Sequence, residues 1–392
     1  MTVETSLGKP TTAQKKRQSL WIELGAIAAI AIVLLAVMPF LLSNFQLNRL
    51  GRFLSLAIVA LGIDLIWGYT GLLSLGHGVF FALGGYAIAM HLKMQVPVGQ
   101  VPDFMQLYNL EMPWFWPPFR SFGFSALAVF IVPTLLAAIL GYLVFRNRIR
   151  GVYFSILTQA ATIVFFNFFN GQQDLFNGTN GLQNFDTIFG ADINAEGTQF
   201  AFYAITILLL AAAYGLCRWL TSGRFGRLLV ALRDDESRVR FSGYNPTGFK
   251  VLVFAISAGL AGVAGALYTV QTGLISPKAM DIAASIEMVI WVAVGGRATL
   301  VGAILGSLLV NFGKSLLSTQ FPAIWLFFQG ALFLLVVTAL PDGIVGWARF
   351  RATNQLQRLF GHPQPLMTYP QLEEDPEVKY ERENLGDGES YD

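Results

Sequence analysis

The sequence predicts an all-α integral membrane protein with about ten transmembrane helices. Of its 392 residues, 54% are hydrophobic and only 13% are charged, which is about half the charged share of soluble domains. Apolar runs recur along most of the chain, and basic clusters mark alternate loops between them. A helix needs roughly 20 apolar residues to cross a bilayer. The candidate spans are residues 21–43, 51–68, 72–92, 123–145, 152–170, 199–220, 249–271, 282–296, 300–318 and 323–346.

The first apolar run predicts a retained span. Lys15–Arg17 precedes residues 21–43. That run exceeds the roughly 7–15 apolar residues of a signal peptide, and it ends without a small-residue cleavage site. Residues 1–20 are therefore predicted to form a cytoplasmic N-terminal segment.

Basic loops orient the spans. Arg146–Arg150, Arg218–Lys250 and Arg349–Arg358 are rich in arginine, which predicts that they face the cytoplasm. Gly171–Gln199 holds no lysine or arginine and Lys93–Phe122 holds few, so both are predicted to be external. These marks agree with ten alternating spans and with both termini in the cytoplasm.

Residues 21–348 are predicted to form the transmembrane domain, and residues 349–392 a largely disordered cytoplasmic tail. Gln371–Asp392 carries nine acids against two bases, a composition typical of disorder.

No catalytic or metal-binding constellation is visible. Cys217 is the single cysteine, which excludes an intramolecular disulfide. His77, His91 and His362 lie far apart, without metal-ligand spacing. A membrane enzyme is therefore disfavoured.

A glycine-rich stretch, Trp67–Gly78, interrupts the apolar sequence and reads WGYTGLLSLGHG. Backbone polar groups within lipid must be paired inside the protein, so irregular backbone occurs where protein covers it or where it lines a watery cavity. Close helix packing, which glycine permits, and a short surface loop are the alternatives. A transport path is favoured, with the candidate residues Thr70, Gly71, Ser74, Gly76 and His77.

A short repeat supports a transporter architecture. TGLLS at Thr70–Ser74 recurs as TGLIS at Thr272–Ser276. The first follows the second candidate span and the second follows the seventh, and these two spans run in opposite directions. The placement predicts an inverted five-plus-five repeat, an arrangement with interrupted helices near the substrate path.

Polar side chains inside spans give further candidates. Ionisable residues there are costly and usually functional or paired, and Glu287 and Lys314 on adjacent spans are expected to neutralise each other. The fifth span carries uncharged amides and hydroxyls, which suit a neutral polar solute but also serve as contacts between helices. The path candidates from these spans are Gln159, Thr162, Asn170 and Glu287.

The loop Thr221–Thr247 contains an amphipathic segment, Arg224–Arg240, too short and charged to span the membrane. It predicts a short cytoplasmic helix that docks a partner. A helix lying only against lipid headgroups is the alternative.

Three segments together resemble one family. Gly68–Ala87, Gly223–Leu267 and Val294–Leu309 resemble sequences of the membrane subunits of ABC importers for branched-chain amino acids and related solutes. The sequence of Ser285–Ser318 is most similar to that of the larger permease subunit in the urea branch of this family. Ala298 departs from the family pattern, in which a glycine is expected.

The resemblance implies a multi-subunit transporter in the bacterial inner membrane. A second, homologous permease would share the path, two ABC ATPase subunits would bind from the cytoplasm, and an external solute-binding protein would deliver the solute. The chain itself would bind no cofactor and no nucleic acid. It has no GxxxxGK[ST] loop, so the ATPase subunits would use the ATP. The family's coupling role transfers to Gly226, Arg227, Arg233, Asp234 and Glu236.

The resemblance implies urea as the solute, in a route of nitrogen uptake. A branched-chain amino acid or another small amide is the alternative within the family, because the binding protein sets most of the selectivity. A passive urea or amide channel is the alternative from another class. Such a channel would need no ATPase-docking loop like Thr221–Thr247.

Overall fold

The computed structural model describes residues 25–97, 99–149, 151–321, 324–339 and 343–348. The predicted N-terminal segment and acidic tail lie outside these residues. The contacts below all belong to one compact unit that ends at Trp347. The main helices are α1 Gly25–Leu41, α2 Asn44–Gly68, α3 His77–Lys93, α4 Phe122–Arg146, α5 Val152–Gly171, α6 Glu196–Ser222, α7 Arg224–Asp234, α8 Glu236–Phe241, α9 Pro246–Thr272, α10 Ile282–Gly295, α11 Leu300–Gln320 and α12 Trp325–Ala339. Two short helices, Asp103–Leu107 and Gln173–Phe176, lie in the connecting segments.

A helix occupies each of the predicted apolar ranges. Within the described residues, six helices are long and apolar enough to cross a membrane, namely α2, α4, α5, α6, α9 and α11. The helices α3 and α10, and the described parts of α1 and α12, are shorter than 18 residues. The fold is therefore that of a multi-pass membrane protein, while the count of ten spans stays a prediction.

Burial separates a central layer from a peripheral one. Of the residues in the most apolar 18-residue stretch of each helix, 78% are buried in α2 and 61% in α9, but only 33% in α4 and 28% in α5. The outer faces of α4 and α5 carry large apolar side chains such as Leu127, Leu135 and Val164. Such a surface fits lipid or another membrane subunit.

Glycines bring α3 and α9 into backbone contact. A Cβ atom at Gly84 would lie 2.0 Å from the carbonyl oxygen of Gly262, and one at Gly265 would lie 1.8 Å from that of Phe81. Helices in lipid associate through such close packing of small residues. The central pair therefore depends on glycine at these two points.

Two segments predicted to be external pack together at the far end of α9. Strand β1 (Leu182–Gln183) pairs antiparallel with β4 (Leu274–Ile275), and β2 (Thr187–Ile188) forms a hairpin with β3 (Ala191–Asp192). The buried Lys93 donates to Asp103 at 2.8 Å and to the backbone oxygen of Asn184 at 3.1 Å. The contact with Asn184 ties residues 93–122 to residues 171–195.

The two repeat segments share one backbone feature. Gly71 in TGLLS has φ +71° and Gly273 in TGLIS has φ +73°, and each follows a long central helix, α2 or α9. The first continues without helix or strand and the second as strand β4. The inverted repeat itself stays a prediction.

Candidate coupling site

The glycine-rich stretch forms a break between two buried helices. The last turn of α2, Asp64–Gly68, is a π-helix. The backbone then runs without helix from Gly71 to Gly76, and α3 begins at His77. We call residues 71–76 the break. Its polar backbone lies in the membrane domain, so it needs partners within the protein.

Hydroxyl groups of α5 supply those partners. Ser155 Oγ donates to the carbonyl oxygen of Leu73 at 2.6 Å. Thr158 Oγ1 accepts from the N–H of Leu75 at 3.0 Å, and Thr162 Oγ1 lies 3.4 Å from the Leu75 carbonyl oxygen. Protein therefore covers this face of the break. Thr158 belongs to the uncharged hydroxyls noted in the fifth span, whereas Ser155 carries no signal in the sequence beyond lying on the same helix face as Thr162.

His77 links three helices through one serine. Its Nε2 lies 2.7 Å from Ser257 Oγ on α9, and Ser257 Oγ donates to the carbonyl oxygen of Gly62 on α2 at 2.5 Å. Because the serine proton goes to Gly62, the imidazole Nε2 donates. All three groups are buried, so His77 fixes the start of α3 against α2 and α9.

The predicted cytoplasmic helix is a pair of helices, α7 and α8, separated at Asp235. Gly226, Leu229 and Leu232 of α7 are buried against the bundle, whereas Arg227 is exposed. A Cβ atom at Gly226 would lie 2.0 Å from the carbonyl oxygen of Thr221. Glycine is therefore required where α7 folds back against the end of α6.

Arg233 joins this loop to the break. Its Nη1 donates to the carbonyl oxygen of Gly68 at 3.0 Å, and its Nε contacts exposed Asp234 at 3.1 Å. The closest heavy atom to a Cβ built on Gly71 is Arg233 Cγ, at 3.0 Å. The structure thus places two motifs, singled out separately in the sequence, in direct contact.

Glu236 joins α8 to α9. It contacts Arg240 Nη2 at 3.1 Å and Lys250 Nζ at 2.5 Å. The side chains of Glu236 and Lys250 are only 9% and 6% exposed, and a buried charge pair loses stability when one partner is removed. Lys250 is not among the sequence candidates, although it is the fifth residue of an apolar helix.

The turn between α10 and α11 packs on the π-helical turn of α2. Asp64 Oδ1 accepts from the N–H of Ala298 at 2.6 Å, and Tyr69 Oη lies 3.4 Å from the Ala298 carbonyl oxygen. The Arg297 guanidinium lies 5.0 Å from the centre of the Trp67 ring. Residues 297–298, in the second half of the chain, therefore pack on residues 64–69 in the first half.

Ala298 has φ +57°, which explains why glycine is expected at this position. A left-handed conformation costs an L-residue roughly 1–2 kcal/mol. Replacing Ala298 with glycine is expected to raise the free energy of unfolding by up to about 1 kcal/mol, visible as a higher thermal unfolding midpoint in detergent. Alanine to glycine at Ala264, buried within α9, is the matched control and should lower the midpoint by removing helix propensity. A lower midpoint for Ala298→Gly would contradict this account.

The remaining path candidates take separate positions among the described residues. Thr70 Oγ1 donates to Ile66 O at 2.5 Å, and Ser74 Oγ accepts from the N–H of Gly76 at 3.4 Å. The exposure of Gln159 and Asn170 on α5 is intermediate. Glu287 and Lys314 form the expected ion pair, at 2.7 Å. Which of these residues line a path stays a proposal.

No group of three or more metal-ligating side chains occurs within the described residues. The amino-acid sequence that forms this site identifies the family. Residues 45–337 match the family model described as branched-chain amino acid transport system / permease component. The chain belongs to this permease family. The matched range contains the break, α7 and α8, and the turn at Ala298.

Curated relatives of this permease family agree. The permease protein LivM of the high-affinity branched-chain amino acid transport system of Salmonella typhimurium is 26% identical over 340 residues, 81% of this chain and 74% of that protein. LivM of Escherichia coli is 25% identical over 82% of this chain and 75% of its own length. BraD of Pseudomonas aeruginosa is 25% identical over 74% of this chain and 91% of its own length. No solved structure matches the chain.

Proposed function

We propose that this permease is one of two membrane subunits of an ATP-driven importer, and that α7 and α8 receive the motion of an ATPase subunit. The contact of Arg233 with Gly68 and Gly71 carries the proposal. It connects a surface helix directly to the end of α2 and to the break that separates α2 from α3. A displacement of α7 would therefore move the end of α2 and the break.

Two further contacts support this proposal, because they make the loop part of the bundle. Glu236 ties α8 to the start of α9 through Lys250, the fifth residue of that helix, and α9 packs against α3 through glycines. Rigid-body displacement of packed elements is an established form of conformational transmission. The coupling helices, α2 and α9 would then move together when ATP is bound or hydrolysed.

The outward face of the loop has the composition of a docking surface. Phe241 is 92% exposed and Tyr244 is 53% exposed, beside exposed Arg227 and Asp234. Buried aromatic and arginine side chains dominate the binding energy of many interfaces. We propose that this face binds a groove of the ATPase subunit.

The second permease subunit is proposed to cover α5. This helix is the least buried of the six long apolar helices, and it exposes Asn167 on an otherwise apolar face. An amide facing lipid would lack hydrogen-bond partners. A path between the two subunits, past Gln159, Asn167 and Asn170, would give these amides water or solute.

Branched-chain amino acids are the first candidate for the solute, since the curated relatives are named as permeases of branched-chain amino acid transport systems. Urea is the second candidate, because Ser285–Ser318 resembles the urea branch. Labelled leucine and labelled urea, each at micromolar concentration, should be offered to cells that lack this chain. Loss of leucine uptake supports the first candidate, and loss of urea uptake alone supports the second. Normal uptake of both would contradict both.

The break itself can be tested by one methyl group. Gly71→Ala adds a Cβ atom to a residue in a left-handed conformation and places it 3.0 Å from Arg233 Cγ. Uptake of the identified solute is therefore expected to fall about fivefold or more. A fivefold change corresponds to the lower end of typical allosteric coupling energies. Gly273→Ala is the matched control, since it has nearly the same φ but no atom within 4 Å. Equal uptake by the two variants would count against a role for the contact.

A further inference from the structure

A basic cavity opens beside α8, on the face that carries the coupling helices. Its volume is about 350 Å³. It lies between the end of α4 and the start of α9. The lining residues are Arg146, Arg148, Arg240, Gly243, Tyr244, Asn245, Pro246 and Thr247.

The cavity carries more positive charge than the described residues neutralise. Arg240 Nη2 donates to Glu236 at 3.1 Å, but its Nε is buried with no hydrogen-bond partner among the described residues. Arg146 Nη1 donates to the hydroxyl of Tyr142, at 3.1 Å. Within the described part of the chain, neither Arg146 nor Arg148 contacts a carboxylate. Glu236 is itself shared with Lys250, so the net charge favours an anion.

The shape of the site suits a phosphate group. The N-terminus of α9, a helix of 27 residues, forms one wall, with Asn245 as its N-cap. The helix dipole favours an anion at such a terminus, although Pro246 has no N–H and the N–H of Thr247 donates to Asn245 Oδ1. Arginine forks bind phosphate oxygens through paired hydrogen bonds. The shared chemistry of a ligand here is therefore a phosphate ester or free phosphate.

The position of the cavity selects a lipid as the source. Arg146 is the last residue of α4, a 25-residue apolar helix, so it lies where that helix reaches the headgroup level. The preceding turns expose Ile139, Tyr142 and Leu143 at 50%, 48% and 55%. These side chains offer an apolar wall for acyl chains directly below the charges.

We propose that this cavity binds the headgroup of an anionic phospholipid of the cytoplasmic leaflet. The assignment of the leaflet rests on the proposed function, which places α7 and α8 in the cytoplasm. Basic pockets between spans on that side bind anionic headgroups. The lipid would bridge α4 and α8, and thereby hold the coupling loop against the bundle.

The test is retention of phosphatidylglycerol. The full-length chain, purified with the subunits that accompany it, is placed in nanodiscs of phosphatidylcholine with added phosphatidylglycerol, and bound lipid is measured by native mass spectrometry. Each of Arg146→Gln, Arg148→Gln and Arg240→Gln is expected to lower phosphatidylglycerol binding about fivefold. Arg238→Gln is the control, because Arg238 lies on the same helix as Arg240, is 88% exposed and does not line the cavity. Unchanged binding in all four variants would overturn the proposal.

Two further measurements distinguish a lipid from a soluble phosphate and from a protein partner. Inorganic phosphate that binds in pure phosphatidylcholine nanodiscs and displaces phosphatidylglycerol would identify a soluble phosphate instead of a lipid. Loss of the ATPase subunits from the three variants, with phosphatidylglycerol binding intact, would identify a protein contact and overturn the lipid. Lipid retention is measured without ATP or solute, so its failure is distinct from failure of the importer function.

Discussion

Replacing Arg233 with alanine is expected to lower ATP-driven uptake about tenfold while the subunits still assemble. The substitution removes the hydrogen bond to the Gly68 carbonyl and the packing against Gly71, so motion of α7 no longer reaches the break. Couplings between distant sites are typically worth 1–3 kcal/mol, or about 5- to 150-fold. ATP hydrolysis by the same preparation is expected to continue, so the number of ATP molecules used per solute should rise.

Arg238→Ala is the matched control for this prediction. Arg238 lies in the same loop, but its side chain is 88% exposed and, among the described residues, pairs only with Asp235. Its replacement should leave uptake within about twofold of the wild type, as for most exposed ion pairs. Loss of ATPase subunits from the Arg233→Ala preparation would mean that Arg233 is a docking residue. Normal uptake would contradict the coupling role altogether.

Replacing Gly265 with alanine is expected to destabilise the chain by about 3 kcal/mol or more. The new Cβ would lie 1.8 Å from the carbonyl oxygen of Phe81, so α3 and α9 must separate along their whole contact. Overpacking of a tight core typically costs 1–3 kcal/mol, and backbone atoms cannot move aside as a flexible side chain can. The thermal unfolding midpoint in detergent, followed by tryptophan fluorescence or by loss of monodisperse protein, measures the effect.

Gly215→Ala provides the control for Gly265→Ala. Gly215 lies within α6, and a Cβ there meets nothing within 4 Å. Alanine should therefore stabilise the helix by up to about 1 kcal/mol through its propensity. A midpoint that falls equally in both variants would show that the close approach of α3 and α9 does not determine stability.

The apolar helices could be predicted from the sequence because bilayer thickness fixes their length and composition. The helical ranges Phe122–Arg146, Val152–Gly171 and Pro246–Thr272 lie within a few residues of the predicted spans. The basic loop was predicted to be a short amphipathic element, and it forms α7 and α8. Each of these inferences depends on local sequence only.

Contacts between distant parts of the chain could not be predicted in the same way. The hydrogen bond from Arg233 to Gly68 joins residues 165 positions apart, and that from Ala298 to Asp64 joins residues 234 positions apart. Thr162 was proposed for the path on helical periodicity, and the structure places it beside the break at Leu75. Periodicity shows which residues share a helix face, but not which neighbour that face meets.

The central claim is that the chain transports its solute only as part of an ATP-driven machine. The direct measurement is uptake of labelled leucine and of labelled urea by proteoliposomes that contain this chain, the second permease and the ATPase subunits, with the binding protein outside. The account predicts uptake of one of the two solutes that requires ATP inside the vesicles and stops when the ATPase subunits are omitted. Solute entry without ATP, through this chain alone, would contradict it and identify a passive channel.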